Sequence, residues 1–412
     1  MSGQNVLSGI RVLDCATYIA GPSAAAVLAD YGADVIKIER PPAGDPYRFL
    51  SCAPGMPVTE WNYCWIMDSR SKRSLALNLN QEPARNALIA LVRKADIFVT
   101  NYQPALISKF RLRYEDLQPE NKRLIYASVT GYGEVGAEAD NAGYDMTAYF
   151  ARSGLMQYIK NAGCEPAISP CGFGDHPTAM TLFGAIMMAL YRRERTGEGA
   201  KVTTNLMHNG VWSNGSLTQA ALCGAEFSAP QTRGKPHNPL VNHYATSDGR
   251  RFLLCLLDVA KDWVKLCTAL GRQEWIEDVR YSTPDARRQN AAELVSLIDA
   301  ITEAHPLAEW KRRFAECDVL YGIVPEAKEH PDDAQMNAAG VFADVVDGPR
   351  PMKTVTSPFH LAGTQKSPAR WAPEVGEHTV AVLREAGCSD EEIHAMLESG
   401  AAQQYEKAPE RH

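Results

Sequence analysis

The feature that most constrains this chain is the alternation in its first 130 residues. Short apolar runs rich in β-branched residues, "IRVLD" (10–14), "DVIKIE" (34–39), "SLALNL" (74–79), "DIFVTN" (96–101) and "RLIYASVTG" (123–131), are spaced by helical patterns such as "PSAAAVLADYGA" (22–33) and "QEPARNALIALVRKA" (81–95). Buried strands separated by amphipathic helices predict βαβ units, and so an α/β fold whose parallel sheet is covered on both faces. In such a sheet ligands bind beyond the carboxyl ends of the strands, so the residues that follow each strand are the ones to inspect.

The pattern changes after the turn-rich "SAPQTRGKPHNPL" (228–240). "HYATSDGRRFLLCLL" (243–257) reads as a hairpin around Asp248-Gly249, and "KDWVKLCTALG", "AAELVSLIDAITEA" and "PLAEWKRRFAE" as helices. The chain therefore divides into residues 1–227, a smaller α+β domain with its linkers at 228–330, and a C-terminal segment, 331–412. Near the end, Ser389 and Glu392 stand at the spacing of a capping box for the last helix. With 412 residues, 45% of them hydrophobic, two or three domains can each bury a core.

Composition excludes several functions. Asp plus Glu number 49 against 42 Lys plus Arg, with no dense basic run, so nucleic acid is not an expected partner. The longest apolar windows, such as "TAMTLFGAIMMALY" (178–191), fall short of the roughly 18 to 20 residues that cross a bilayer. "MSGQNVLSGIRVLD" lacks a basic region followed by an apolar core, which predicts no signal peptide and a cytoplasmic location. Ten cysteines are scattered singly without CxxC, a pattern of reduced thiols and not of a metal site or disulfide framework.

Four strand ends carry candidate chemistry. In "CATYIAGPSAA", Gly21 and Pro22 open a helix whose free N–H groups suit a phosphate, although a plain helix start is the stronger reading of the stretch alone. It is not GxGxxG, so nicotinamide and flavin gain no support. Arg40 closes the second strand, and "NYQPALISKFR" places Asn101 and Tyr102 ahead of the cations Lys109 and Arg111. Last come "AGYD" (142–145) and "GFGDHP" (172–177). Spacing alone favours Asp175 as the N-cap of a helix with Pro177 in its first turn, arginines in its last and Gly197 past its end.

Together the stretches "LSGIRVLD", "AGPSAAAVLADYGADVIKIERP", "SKRSLALNL", "NYQPALISKFRLRYEDL", "TGYGEVG", "AGYDMTAYFARSG", "GFGDHPTAM", "RRERTGEGAKV" and "GEHT" resemble, in order and over almost the whole chain, the class III CoA-transferase (CaiB/BaiF) family. That family also contains the α-methylacyl-CoA racemases. The resemblance implies a Rossmann-like large domain built from both chain ends, a smaller domain, and an interlocked homodimer. It implies an acyl-CoA:carboxylate CoA-transferase whose aspartate nucleophile matches Asp175, working through aspartyl anhydride and aspartyl-CoA thioester intermediates. Coenzyme A is then a substrate, and neither a metal nor a tightly bound cofactor is needed.

Carried over by position, Tyr18, Ile19, Ala20, Arg40, Leu77, Asn101, Tyr102, Lys109 and Phe110 bind CoA, and Tyr144, Asp145 and His176 line the active site. Lys109 stands where many relatives have Arg, keeping the charge and losing the bidentate fork. Gln103, Ala105 and Arg111 also depart from the family pattern. The racemases carry a proton-transferring histidine at the position of Tyr144, and a tyrosine with an ordinary pKa of about 10 is a poor base for an α-proton. This favours transfer over the alternatives, racemisation or silent acyl-CoA binding.

A helix N-terminus is expected to keep the Asp175 carboxylate ionised and to offer N–H groups to an oxyanion. The glycine-run loop of some relatives is missing near residues 230–262, which leaves "KPHNPLVNHY" as the candidate shield. "TGYGEVGAEADNAGYDMTAYFARSGLMQY" is most similar to the subgroup acting on phenyllactate, 2-hydroxyisocaproate and bile acids. A hydrophobic acid is therefore expected, and the aromatic "EWNYCW" (60–65) is compatible with one.

Overall fold

The computed structural model describes residues 5–258 and 260–406. Its main sheet contains β1 (Arg11–Cys15), β2 (Asp34–Glu39), β3 (Lys72–Leu77), β4 (Ile97–Thr100), β5 (Ile125–Thr130) and β6 (Ala200–Asn205), all parallel. Their order, 3-2-1-4-5-6, is that of a doubly wound Rossmann sheet. Three strands follow in the second unit, β7 (Val241–Ala245), β8 (Arg251–Cys255) and β9 (Tyr321–Ile323), then the antiparallel pair β10 (Phe342–Asp344) and β11 (Lys353–Val355). The last strand, β12 (Ala402–Gln403), returns to the main sheet and pairs antiparallel with β3 at its edge. Both ends of the chain thus build one sheet.

Successive side chains of a strand point to opposite faces, and here each face finds its own helices. Leu13, Ile36, Leu75 and Phe98 bury one face against helices Glu82–Val92, Thr379–Ala386 and Asp390–Glu398. Val12, Val35, Ile97, Ile125 and Ala127 bury the other against Ala20–Asp30 and Asp175–Thr196. Helix Ala20–Asp30 is buried on all sides, and its alanines let neighbouring backbones come close. Ser389 and Glu392 do form the capping box of the final helix.

The chain packs as two compact units. The first runs up to Gln157, resumes over Ile168–Cys223 and again from Ala338. The second comprises Tyr158–Ala167 and Gly224–Asn337. Residues 158–167 join the second unit through contacts such as Ala162 N–H donating to the Gln231 carbonyl at 3.1 Å. In that unit β7, β8 and β9 form an antiparallel sheet, with the hairpin turning through Asp248-Gly249. Tyr244, Phe252 and Leu254 pack there on Trp263, Ile298, Trp310 and Phe314 of its helices. Among the described residues no helix is long and apolar enough to cross a membrane.

Candidate active site

Strands β1 and β4 are neighbours in the sheet but far apart in sequence, and the chain leaves their carboxyl ends in opposite directions. Such a switch point opens a crevice. Two reciprocal hydrogen bonds span it: Thr17 N–H donates to Asn101 Oδ1 (2.8 Å), and Asn101 Nδ2 donates to the Thr17 carbonyl (2.7 Å). Tyr18 follows with φ at +62°, a left-handed conformation that costs a tyrosine energy and needs support. Asp45 supplies it, its Oδ1 accepting from Tyr18 N–H at 3.0 Å and from Tyr47 N–H at 2.9 Å.

Asp45 is held in turn by the fully buried Lys37, whose Nζ lies 2.7 Å from Asp45 Oδ2 and 3.7 Å from Asp14. Asp14 also receives Lys72 Nζ at 2.9 Å. Burial pushes the Lys37 ammonium toward neutrality, but Asp14 and Asp45 outweigh it and raise its pKa above the usual lysine value. A buried lattice of alternating charges therefore sets the loop from above β1 to Tyr18.

Above this loop lies an open cleft of ≈ 820 Å³. Tyr18, Ile19, Ala20, Asn101, Tyr102, Tyr144 and Asp175 are among the residues that line it. A second cleft of ≈ 1360 Å³ shares Thr17 and Tyr102 with the first, and contains Arg40, Leu77, Lys109 and Phe110. The Lys109 ammonium donates to Asn80 Oδ1 at 2.7 Å and stands over the Phe110 ring. Tyr144 meets Tyr18 edge to face, with ring centroids 5.6 Å apart.

Asp175 is not the cap. The N-cap is Gly174, and Asp175 is the first residue of the 22-residue helix Asp175–Thr196, which leaves its carboxylate free to face the cleft. A side chain at Gly174 would put Cβ 2.4 Å from Cγ of Tyr149, so only glycine fits where the turn meets that ring. Asp145 and His176, expected to line the site, adjoin Asp175 but are not among the residues that line the first cleft. Asp145 is buried, accepting Gly174 N–H on Oδ2 (3.3 Å) and Met146 N–H on Oδ1 (2.8 Å). His176 turns back to Gly172 and to Asp68, a buried residue for which the sequence offers no signal beyond the end of a short helix.

The electrostatics also correct an expectation. Asp175 has its pKa raised to about 7, first by burial and then by the charge of Asp145, with His176 opposing and Asp68 adding. Desolvation and two neighbouring carboxylates thus outweigh the helix N-terminus. The adjacent Cys171 thiol is pushed up to about 11 by burial and by Asp145 and Asp175, which keeps it protonated.

The "EWNYCW" aromatics lie outside the cleft. Trp65 is buried with Ile19 and Tyr47 beneath the Arg48 guanidinium, and Trp61 packs on Trp371 and Arg350. Trp65 thus shares a buried cluster with Ile19, which lines the first cleft. Among the described residues no group of three or more His, Cys, Asp or Glu converges on a metal position.

CoA-transferase family III matches residues 7–379. A cinnamoyl-CoA:phenyllactate CoA-transferase of Clostridium sporogenes is 32% identical, covering 95% of this chain and 96% of its own. A succinyl-CoA:glutarate CoA-transferase of Mus musculus is 33% identical, covering 97% and 91%. The crystal structure of a CAIB/BAIF family protein from Brucella suis superposes with a TM-score of 0.83 at 28% identity, covering 93% of this chain and all of that one. The chain belongs to CoA-transferase family III and is a CoA-transferase, close to the enzymes of phenyllactate and related 2-hydroxy acids.

Proposed function

We propose that the protein moves CoA between carboxylic acids with Asp175 as its covalent nucleophile. The observation that carries this is the placement of Asp175 at a cleft that adjoins a second one holding the cations Arg40 and Lys109. Those cations suit the nucleotide phosphates of CoA, Leu77 and Phe110 its adenine, and Tyr18, Ile19, Ala20, Asn101 and Tyr102 the arm leading to the thioester.

An Asp175 carboxylate oxygen attacks the acyl carbonyl, the C–S bond breaks, and CoA leaves as thiolate from a mixed anhydride. The thiolate attacks the aspartyl carbonyl, expelling the first carboxylate and leaving an aspartyl-CoA thioester. The acceptor carboxylate attacks that thioester, forming a second anhydride and freeing the thiolate again. Attack of the thiolate on the new acyl group gives the product and restores Asp175. No net proton moves, so the site needs no acid or base matched to substrate.

Each tetrahedral step places negative charge on an oxygen. The amides of Gly174 and His176 are committed to Asp145 and to the Gly172 carbonyl. Those of Gly172 and Asp175 donate no hydrogen bond among the described residues and serve the oxyanion.

For the acyl group we favour a hydrophobic acid, aryl or branched. The edge-to-face Tyr18 and Tyr144 rings and Leu206 beside the nucleophile support this, as does the likeness to the phenyllactate enzyme. A homodimer of interlocked subunits fits the large unit, where Met188, Tyr191, Trp212 and Leu222 leave apolar side chains in water. Asp175→Ala tests the reading: exchange of CoA between acids should vanish, and hydroxylamine should trap a hydroxamate at Asp175 in the native protein only. Undiminished exchange by the variant refutes it.

A further inference from the structure

The Asp68 carboxylate is buried at the end of helix Tyr63–Ser69 and gathers donors from three other elements. Ser23 Oγ donates at 2.7 Å and Tyr47 OH at 2.5 Å, while His176 Nε2 lies 3.2 Å from Oδ1 and 3.4 Å from Oδ2. The other ring nitrogen, Nδ1, is 3.0 Å from the Gly172 carbonyl oxygen. A carbonyl has no proton to give, so Nδ1 must be the donor there.

A singly protonated ring would then turn the bare lone pair of Nε2 toward a carboxylate, two acceptors facing each other. Placing the missing proton on Asp68 removes the conflict but weakens the anion that two hydroxyl donors already stabilise. Protonating both ring nitrogens satisfies every partner at once. The ionisation directions agree: burial disfavours a charged Asp68, yet His176, Tyr47 and Ser23 hold it below the usual carboxylate range. Burial likewise disfavours a charged His176, yet Asp68 and the Gly172 carbonyl raise it above the usual imidazole value.

We propose that His176, held as an imidazolium between the Gly172 carbonyl and the buried Asp68, is a positioning residue that places a permanent positive charge beside Asp175 and ties down the glycine turn that presents it. The inference rests on Asp175 as the nucleophile. Around the pair stand Cys64 and Tyr47 on the Asp68 side, Lys72 on β3, and Cys171, Asp145 and Asp175 on the histidine side. Among the charged side chains of the described residues that act on Asp175, His176 is the one that counters Asp145 and Asp68, the two carboxylates that disfavour its ionised form.

The test reads ionisation directly, apart from turnover. In protein with nitrogen-15 histidine and carbon-13 aspartate, signals lost in His176→Gln and Asp175→Asn assign the two side chains. His176 is expected to keep both ring nitrogens protonated above pH 7. In His176→Gln the titration of Asp175 moves up by about one pH unit. Asp68→Asn moves it less, because it removes a negative charge along with the histidine's, and His176→Lys leaves it near the native position. In the native protein, a His176 ring that is neutral at pH 7 overturns the proposal. So does an unmoved Asp175 in a folded His176→Gln variant. Absence of any aspartyl-CoA adduct in the native protein would instead refute the nucleophile reading and leave the histidine measurement intact.

Discussion

The raised pKa of Asp175 makes a quantitative prediction about the first chemical step. Only the carboxylate attacks, so formation of the aspartyl-CoA thioester follows its ionised fraction. With a pKa of about 7, that fraction drops to roughly one tenth at pH 6 and one hundredth at pH 5. A carboxylate at its ordinary value would stay more than about nine-tenths ionised at pH 5. The assay is a single turnover with saturating acyl-CoA, quenched and read as the intact mass of the covalent adduct. Saturation matters because a phosphate monoester itself titrates near pH 6. From pH 8.5 down to 5.5 the rate should fall about thirtyfold. Asp145→Asn removes the second-largest cause of the shift while its carboxamide oxygen can still accept Gly174 N–H. Its acid limb should therefore lie lower, by about one pH unit. A profile that is flat between pH 8.5 and 5.5, or an Asp145→Asn limb at the native position, would refute the reasoning.

The same ionisation links to stability. Because the folded pKa of Asp175 lies above its unfolded value, ionising it costs the native state free energy as pH rises from 4 to 7 and beyond. Asp175→Asn should thus raise Tm at pH 8 and make no difference below pH 4. The full shift is worth about 4 kcal/mol, and partial solvent access of the side chain reduces the expected gain to about 1–2 kcal/mol. Lys37→Met leaves Asp45 without its buried cation and Asp14 with Lys72 alone, and should lower stability by about 3–5 kcal/mol, measured by denaturant unfolding; an unchanged midpoint would show the lattice to be dispensable. Lys109→Ala should weaken CoA about three- to tenfold in calorimetry and flatten its salt dependence, while CoA lacking the terminal phosphate binds both proteins alike.

How much of this was legible in the sequence depends on whether the signal is local. The strands announced themselves, because residues such as Leu13 and Val12 are buried on opposite faces of a covered sheet and must both be apolar. The return of β12 to the edge of β3 was not visible in "AAQQYE", two paired residues being too short to carry a pattern. Asp175 was legible as a special carboxylate, but its role as cap was an artefact of spacing: the turn ends one residue earlier, at Gly174, because Tyr149 leaves room for nothing larger. Asp68, Asp45 and Lys37 escaped altogether. Asp45 meets Tyr18 27 positions away and Asp68 meets His176 108 positions away, separations that no local window spans, while the pairing of Lys37 with Asp14 and Asp45 matters through a burial that the charge pattern alone does not reveal.

The two charge systems divide the work of the site. The Lys37 lattice sets two cations against two carboxylates, meets the first cleft through the Tyr18 amide that Asp45 accepts, and borders the second through Asp45 itself. Its charges are paired against one another, and its part in the site is to hold the strained turn at Tyr18. Asp68, Asp145, His176 and Asp175 are different, because three carboxylates share one imidazole and charge is left over in the cleft. A nucleophile raised toward neutral pH is more basic, hence more reactive toward a thioester once ionised, but less of it is ionised. Burial and Asp145 push in the first direction and His176 in the second, so the balance between them sets the pH at which Asp175 attacks.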